Sequence, residues 1–590
     1  MSLELTDWDQ DLPSQAEEEY QALVRTLNFT EGFGLLFVRC SPAGGEQLIT
    51  KVKADISNKN IQVLRLEKAV NNLYEIIDNL ENKAEINILF ITGLEHSFYE
   101  YEECKSLQGW QSKDIYSYSW KGVPPILINL NQQRERLKDN FNICFVFLLP
   151  IFAIKYFIQR APDFFDWRSG LFEFPMDSDT LEQESSQVIQ EGKYEKYLVL
   201  TPEERTKEIL KIQELIGENK QTLERQCDLL INLGNLHFAG QGYKEAIAAY
   251  DKALEIKPDD HDAWNNRGIA LWNLGRYEEA IAAYDKALEI KPDDHDAWYN
   301  RGIALDDLER YEEAIASYNK ALEIKPDKHE AWNNRGNALD NLERYEEAIA
   351  SYNKALEIKP DKHEAWNNRG NALDNLERYE EAIASYNKAM SIQPDDHQAW
   401  YNRGLSLRKL GRYEEAIASY NKALEIKPDD HDAWNNRGNA LRYLGRYEEA
   451  IASYNKAVSI KHDLLEAWGN RGIALGNLGH HEDALASFDK TLEFKPDLHE
   501  TWYNRGYALE NLGRYEEAIA SYNKALEIKP DYHYAWYNKA IYYALKGNIE
   551  QALENLQQAI NLNPDKYRES AKTDSDFDNI RHDKRFQALI

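Results

Sequence analysis

The sequence predicts a mostly α-helical protein in which ten helix pairs form a tandem array, preceded by a smaller α/β domain. Two observations predict this fold class. A tryptophan recurs every 34 residues between Trp264 and Trp536, and short apolar runs alternate with helical segments in the first third of the chain. Repeats with a period of 20–50 residues indicate arrays, whereas the alternation favours a mainly parallel sheet.

Domain boundaries follow from where these two patterns begin and end. We expect an α/β domain at 1–180 and a linker with a leading helix at 181–226. The ten repeats of 34 residues are expected at 227–566, and a closing segment at 567–590. Each helix pair of an array buries its apolar face only against a neighbour, so the array needs a covering element at both ends.

One repeat shows why its period is helical. Trp264 and Gly268 lie four residues apart on one face of a first helix, and Tyr284 lies between alanines on the face of a second helix. Gly275 stands between the two helices, where a left-handed residue caps a helix C-terminus. Pro292 ends the second helix because proline cannot continue it.

The connections between helices carry two further expectations. Asp293 is predicted to cap the next helix, with Asp296 as its capping-box partner. Three repeats have glutamate where the others have the turn glycine, at Glu309, Glu343 and Glu377. A side chain in a left-handed turn is strained, so we expect these three turns to be less favourable than the glycine turns.

These residues resemble the signature of the tetratricopeptide-repeat (TPR) family, at the length of its repeat. The matching positions in one repeat are Trp264, Gly268, Ala280, Tyr284, Ala287 and Pro292. The resemblance implies a right-handed superhelix whose concave groove is lined by the first helices, and a function in binding other proteins. The closing segment looks like that of many bacterial TPR proteins, with Phe577, Ile580, Phe586 and Leu589 expected to cover the last apolar face.

An asparagine occupies the sixth position of every repeat. The row consists of Asn232, Asn266, Asn300, Asn334, Asn368, Asn402, Asn436, Asn470, Asn504 and Asn538. A carboxamide offers a donor and an acceptor, so it can pair with the backbone of a peptide whatever its side chains. The row resembles the asparagine ladder of O-linked N-acetylglucosamine transferases, which holds an extended peptide; their catalytic domain is absent. The alternative is that these amides hydrogen-bond within the array.

Tyrosine occupies the fifth position of four repeats, at Tyr299, Tyr401, Tyr503 and Tyr537. We expect these rings to line the groove and to make adaptable contacts with a peptide. The lining lacks the lysine- and arginine-rich clamp of chaperone-binding TPR domains, so a C-terminal carboxylate is not the expected ligand. The arginine after each row asparagine, Arg267 through Arg505, is interpreted as pairing with neighbouring acidic residues.

The first third of the chain has five apolar runs that are predicted to be strands. They are 34–40, 62–67, 87–94, 125–130 and 143–149. Helical segments separate several of them, so the sheet is expected to be mainly parallel.

The turn after the first predicted strand is where a P-loop NTPase carries its phosphate cradle. That cradle needs a lysine after its last glycine, but Glu46 follows Gly45. Thr92 and Gly93 stand where the metal-binding aspartate of the third strand belongs. With 162–174, these segments resemble a degenerate P-loop, ATPase-like domain that hydrolyses nothing. The alternatives are an unrelated α/β domain and one that still binds nucleotide.

Composition excludes several classes of partner. The net charge is −31, which repels phosphate backbones and anionic lipids, so neither nucleic acid nor a membrane is expected. The cysteines are too scattered for a metal site and are interpreted as reduced thiols; they are Cys40, Cys104, Cys144 and Cys227. The N-terminus lacks the apolar core of a signal peptide, so a cytoplasmic location is expected.

The function predicted from the sequence is a non-enzymatic scaffold that binds an extended protein segment in the groove of the array. No cofactor and no metal are expected, because acidic linkers such as Asp293–Asp296 serve helix capping. The alternative is a signalling regulator in which the first domain senses a nucleotide. The sequence does not identify the partner, the pathway or the oligomeric state.

Overall fold

The computed structural model describes residues 15–99 and 123–590. The chain divides into two compact bodies, Met1–Ile324 and Lys325–Ile590. The N-terminal body contains the α/β domain, three leading helices and three helix pairs. The C-terminal body contains seven helix pairs and the closing segment.

The α/β domain is built on a five-stranded sheet in the order β2-β3-β4-β1-β5. The strands are β1 (Gly34–Arg39), β2 (Ile61–Arg65), β3 (Ile88–Thr92), β4 (Cys144–Leu149) and β5 (Gly170–Glu173). All four pairings are parallel, which confirms the predicted type of sheet.

Helices cover both faces of this sheet. They are α1 (Gln15–Phe29), α2 (Pro42–Asp55), α3 (Leu73–Asp78), α4 (Pro125–Asn140), α5 (Ile151–Arg160) and α6 (Pro162–Phe165), with a short 3₁₀ turn at Lys83–Glu85. α1 and α2 share one core with the strand residues Leu36 and Val146. α3 to α6 share the other core with Leu35 and Phe147. The helix after β1 and the helix after β4 therefore lie on opposite faces, which makes the ends of these adjacent strands the switch point of the sheet.

The expectation of a strand at 125–130 is wrong, because this segment begins helix α4. Pro125 occupies the first helical position, and Leu127, Leu130 and Leu137 are buried at helical spacing along α4. A short apolar run does not distinguish a buried strand from a buried helix; here the polar helix-forming residues that follow it decide. The fifth strand is β5, which lies within 162–174 and pairs with β1.

Three leading helices precede the array: α7 (Ser178–Glu191), α8 (Tyr194–Leu198) and α9 (Pro202–Ile216). The start of α9 is a capping box, in which Thr201 accepts from the Glu204 amide and Glu204 accepts from the Thr201 amide. The sequence predicts this helix start. α7 and α9 contact the first helix of the array and cover its otherwise open end.

Residues 223–562 form ten helix pairs. The first helices are Leu223–Ala239, His261–Asn273, His295–Asp307, His329–Asn341, His363–Asn375, His397–Lys409, His431–Tyr443, Leu465–Asn477, His499–Asn511 and His533–Leu545. The second helices are Tyr243–Ile256, Tyr277–Ile290, Tyr311–Ile324, Tyr345–Ile358, Tyr379–Ile392, Tyr413–Ile426, Tyr447–Ile460, His481–Phe494, Tyr515–Ile528 and Ile549–Leu562. We number the repeats one to ten in this order.

The two helices of a pair meet at the glycine and tyrosine of the repeat pattern. A Cβ atom on Gly268 would lie 2.5 Å from the ring of Tyr284, so only glycine admits this ring. Tyr284 is fully buried, as are Ala280 and Ala287 beside it. The small residues thus set how closely the helices approach, and the ring fills the space between them.

The turn glycines adopt the predicted left-handed conformation, with φ of 73° at Gly275. Glu309, Glu343 and Glu377 adopt it as well, with φ between 58° and 60°. The prediction for the next helix start is wrong by one residue. Asp294, not Asp293, is the N-cap, because its carboxylate accepts from two amides of the following turn.

The closing segment forms the helices Pro564–Thr573 and Lys584–Leu589 with the 3₁₀ segment Ser575–Ile580 between them. Phe577, Ile580 and Phe586 are buried in one cluster with Leu556 and Ile560 of the last helix pair. This apolar contact covers the face that an eleventh repeat would otherwise occupy.

Candidate functional site

The asparagine row lies at the seam between neighbouring first helices. Within each body, the first helices of consecutive repeats contact one another, so their sixth positions follow one another along one side of the array. Asn232 is buried and the other nine asparagines are half-buried. None of them is a freely exposed side chain.

Most amides of the row donate to the preceding repeat. Where the ninth position of that repeat is asparagine, its Oδ1 is the acceptor. Asn402 Nδ2 lies 2.9 Å from Asn371 Oδ1, and the Tyr386 hydroxyl donates to the same oxygen at 2.9 Å. The same arrangement joins Asn470 to Asn439 at 3.0 Å. The remaining pairs of this kind are Asn368 with Asn337 and Asn266 with Asn235.

Where the ninth position is not asparagine, the fifth position supplies the acceptor instead. Asn436 Nδ2 donates to the Tyr401 hydroxyl at 3.0 Å, and Asn538 Nδ2 to the Tyr503 hydroxyl at 3.4 Å. Asn300 donates in the same way to the Oδ1 of the fifth-position asparagine of repeat two at 3.2 Å. The acceptor for a row asparagine thus comes from either the fifth or the ninth position of the preceding repeat, and both of these positions vary in sequence.

The Oδ1 of Asn334 accepts from its neighbour Asn333 at 3.3 Å. Two other members of the row depart from this rule. Asn232 lies in repeat one, which no other repeat precedes, and it accepts from the Tyr197 hydroxyl at 3.5 Å. Asn504 follows the repeat that has glycine and isoleucine at its fifth and ninth positions, and no described residue is a hydrogen-bond partner of its side chain.

The four predicted groove tyrosines serve different contacts. Tyr299, Tyr401 and Tyr503 each pack against the buried tyrosine of the same repeat, with ring centroids 5.7–6.0 Å apart. Tyr537 instead donates to Asp574 of the closing segment at 2.9 Å. The rings of Tyr567 and Phe577 pack against it, so it belongs to the covered end of the array.

The arginine at the seventh position hydrogen-bonds within the array, but the expected acidic partner is present in only some repeats. The Nε atom donates to an aspartate in Arg267, Arg301 and Arg505, and to an asparagine in Arg369, Arg437 and Arg471. Arg301 Nε lies 2.7 Å from Asp285 Oδ1, and its Nη1 donates to Ser317 at 2.6 Å. Its guanidinium also stacks over Trp298, whose indole N–H donates to the Pro292 carbonyl at 2.9 Å. Within a body, these side chains connect neighbouring repeats, as Arg301 of repeat three does with Asp285 of repeat two.

A second candidate site is a cavity of about 270 Å³ at the switch point of the sheet. Its wall includes Ser41 and Gly45 after β1, and Gly93 after β3. Only Cys40 and Ser41 separate β1 from α2, so the chain has no loop that could wrap a phosphate. Ser41 Oγ already accepts from the amide of Gly44 at 3.1 Å.

Glu46, Glu67 and Glu95 line this cavity together with Arg65 and His96. Glu46 accepts both arms of the Arg65 guanidinium, at 2.7 and 2.9 Å. Glu95 is buried, and burial raises its pKa. Beside it, burial and the neighbouring Glu218 raise the pKa of Glu214 to about 7, while Arg39 at the end of β1 opposes the shift.

The described residues bring together one group with metal-ligand chemistry, His261, Asp262 and Asp294. Asp294 is already occupied as a helix cap, and the Lys291 ammonium lies 3.0 Å from His261 Nε2. Helix capping therefore accounts for this carboxylate, and a cation occupies the position next to the imidazole. In the described part of the chain, no helix is both long and apolar enough to cross a membrane.

Ten helix pairs, joined within each body by these inter-repeat contacts, define a helical-repeat scaffold. Family models described as Tetratricopeptide repeat match residues 231–295, 291–329, 299–363, 363–396, 397–430, 431–464, 465–498, 499–532 and 533–566. These matches cover more than half of the chain, which therefore belongs to the tetratricopeptide-repeat family. Its array is a protein–protein interaction scaffold.

No curated protein matches this sequence. Solved structures similar to part of it include YrrB, described as a TPR protein with an unusual peptide-binding site; the match is 27% identical, covers 32% of this chain and 96% of that chain, and has a TM-score of 0.30. MamA is 23% identical over 27% of this chain and 94% of that chain, with a TM-score of 0.27. The pilF protein of Pseudomonas aeruginosa is 20% identical over 35% of this chain and 94% of that chain, with a TM-score of 0.31. The family assignment rests on the repeat models alone.

Proposed function

We propose that the chain is a non-enzymatic adaptor that binds an extended segment of a partner protein along its first helices. The observation that carries this proposal is the orientation of the asparagine amides. Asn470 uses its Nδ2 to hold the neighbouring repeat, and no described residue donates to its Oδ1. Asn371 is the complement, because its Oδ1 accepts twice and its Nδ2 has no acceptor among the described residues.

A ninth-position asparagine, present in repeats one, four, five and seven, can therefore donate to a backbone, and a sixth-position asparagine such as Asn470 can accept from it. Both amides are fixed by contacts that exist before a ligand arrives. Groups that are already ordered lose little conformational entropy on binding, so even single hydrogen bonds contribute to affinity. The row is thus proposed both to join the repeats and to bind a backbone, which unites the two interpretations that the sequence leaves open.

The proposal is tested by site-specific crosslinking in the native cell. A photoreactive residue replaces Glu364, which is exposed one helical turn from Asn368 on a first helix; in a second variant it replaces Lys388, exposed on a second helix. We expect a distinct protein to crosslink through position 364 and not through position 388. Equal labelling from both helices contradicts the proposal.

The crosslinked segment then serves as a peptide ligand. We expect Asn334→Ala, Asn368→Ala and Asn402→Ala together to weaken its binding at least tenfold while helicity is retained. Replacing the exposed Asn341 and Asn375 by alanine is the matched control and is expected to leave affinity unchanged. Unchanged affinity in the row variant refutes a role of the row in binding.

For the N-terminal domain we propose a degenerate P-loop-type domain that binds no nucleotide and provides a second interaction surface. The support is the direct passage from β1 into α2 and the ion pair of Glu46 with Arg65 in the cavity. A carboxylate there repels a phosphate, and the Arg65 guanidinium in the cavity wall is already paired with Glu46. Saturable micromolar binding of a labelled nucleotide to the full chain contradicts this and favours the nucleotide-responsive alternative.

A further inference from the structure

Repeat eight lacks two groups that hold the asparagine row elsewhere. Its fifth position is Gly469 and its ninth is Ile473, so neither offers an acceptor to Asn504 of the next repeat. A Cβ atom on Gly469 would meet only the Thr491 hydroxyl, at 3.9 Å, so the space beside this glycine is open.

This space is a cavity of about 550 Å³ on the seam between repeats eight and nine. Gly469, Ile473 and Phe488 line it, and Asn504 lies in the same wall. Its size falls within the range of about 300–1,000 Å³ that is common for ligand pockets. Apolar side chains beside a few polar groups are also typical of sites that select a ligand by shape and a small number of hydrogen bonds.

Other repeats show what fills the corresponding space. In repeat six, the ring of Tyr401 packs 6.0 Å from Tyr420, and its hydroxyl accepts from Asn436 of the next repeat. In repeat nine, Tyr503 contacts Asn538 of the next repeat in the same way. Repeat eight keeps the aromatic wall and the asparagine but has no fifth-position side chain.

We propose that this cavity binds a tyrosine side chain presented by a partner protein. The ring of the ligand occupies the place of the missing fifth-position tyrosine and packs on Phe488. Its hydroxyl accepts from Asn504 Nδ2, as the Tyr401 hydroxyl accepts from Asn436. The proposal rests on the proposed function, and it names one residue of the bound segment.

The charges around the cavity indicate unmodified tyrosine. Glu466 and Glu500 line the cavity together with Lys495 and His499. A phosphate group on the ligand would meet two carboxylates and no arginine, whereas arginine clusters are what phosphorylated ligands require. A phosphotyrosine is therefore expected to bind more weakly than tyrosine.

The experiment uses the full chain and three small probes: N-acetyl-tyrosinamide, N-acetyl-phenylalaninamide and N-acetyl-phosphotyrosinamide. Saturation-transfer NMR and calorimetry measure their binding. We expect saturable binding of the tyrosine probe, and at least fivefold weaker binding of the other two. Equal binding of tyrosine and phenylalanine, or tighter binding of phosphotyrosine, overturns the proposal.

Two variants locate the site. Gly469→Tyr supplies the missing ring from the chain itself, so it is expected to abolish probe binding and to raise the melting temperature. Gly476→Tyr places the same side chain in open space on the same helix and is expected to retain binding. Asn504→Ala is expected to remove the preference for tyrosine over phenylalanine while phenylalanine still binds. Retained binding in Gly469→Tyr overturns the proposal.

The outcome is separable from that of the proposed function. If the row variants weaken the crosslinked segment but Gly469→Tyr leaves the tyrosine probe bound, the cavity proposal fails and the adaptor stands. If Gly469→Tyr alone abolishes the probe while the row variants have no effect, the cavity stands and the role of the row in binding fails.

Discussion

The backbone strain of glutamate in a left-handed turn can be measured in this array, because later repeats have glycine at the same position. Glu343 and Glu377 have φ of 58° and 60°, where Gly411 and Gly445 of later repeats have 74° and 75°. We predict that replacing both glutamates by glycine stabilises the C-terminal body. Both side chains are exposed and form no ion pair with a described residue, so the substitution removes no contact that would offset the gain.

The magnitude follows from two opposing terms. A left-handed conformation costs an L-residue about 1–2 kcal/mol. Glycine avoids that cost but loses about 0.5–1 kcal/mol more conformational entropy on folding. The midpoints of these ranges leave a net gain of about 0.75 kcal/mol for each site, within about 0–1.5 kcal/mol, and of about 1.5 kcal/mol for the double variant if the two turns act independently.

Urea titration of the full chain, followed by tryptophan fluorescence and by circular dichroism, measures this gain. The reverse changes, Gly411→Glu and Gly445→Glu, are expected to destabilise by a similar amount. Glu343→Ala with Glu377→Ala is the matched control, because alanine removes the same charges and keeps the Cβ atom. Stabilisation by alanine equal to that by glycine would show that charge repulsion, and not backbone strain, is relieved.

Three further predictions concern the interior of the chain. Gly370→Ala places a methyl group 2.4 Å from a buried tyrosine ring and is expected to destabilise the protein by about 1–3 kcal/mol in denaturant titrations. Gly476→Ala places the same group in open space and is expected to stabilise the protein by up to about 1 kcal/mol. Asn402→Ala removes an inter-repeat hydrogen bond and is expected to cost about 1 kcal/mol, whereas Asn504→Ala is expected to cost little; equal losses would contradict the proposed pairing rule. The pKa of Glu214 is raised from 4.5 to about 7, so between these pH values the folded state binds more protons than the unfolded state. The free energy of unfolding is therefore expected to fall by up to about 3 kcal/mol as pH rises through this window. Glu214→Gln is expected to remove this contribution to the pH dependence, and an unchanged dependence in thermal melts would refute the assignment.

Local patterns in the sequence predict most of the fold. The spacing of Trp264, Gly268 and Tyr284 suffices to predict a helix pair, because these contacts lie within one repeat and recur in nearly every other. The strand prediction at 125–130 is wrong because an apolar run of six residues fits either element. Only its continuation into a polar helical segment, with Leu137 buried two turns later, distinguishes them.

The partners of the asparagine row are predictable in part. The row itself is visible in the sequence, but its acceptors lie 31 or 35 residues upstream, at positions that look merely variable. Asn371 at a ninth position and Tyr401 at a fifth position each provide an oxygen that accepts from the row asparagine of the next repeat. A signal for this rule exists, since a repeat with an apolar ninth residue usually has tyrosine or asparagine at the fifth position. The rule can be recognised only in the structure, where the fifth and the ninth position both contact the sixth-position amide of the next repeat.

This pairing rule has a consequence for where the array can bind a ligand selectively. In repeats that satisfy the rule, a fifth- or ninth-position side chain accepts from the sixth-position asparagine of the next repeat. These repeats therefore present similar amides to any bound backbone. A repeat that breaks the rule leaves both a vacant volume and an unpaired amide at the same point, as Gly469 and Asn504 do. The residues that make the array fold are shared by all repeats, and selectivity therefore has to come from the repeat in which the shared pattern is incomplete.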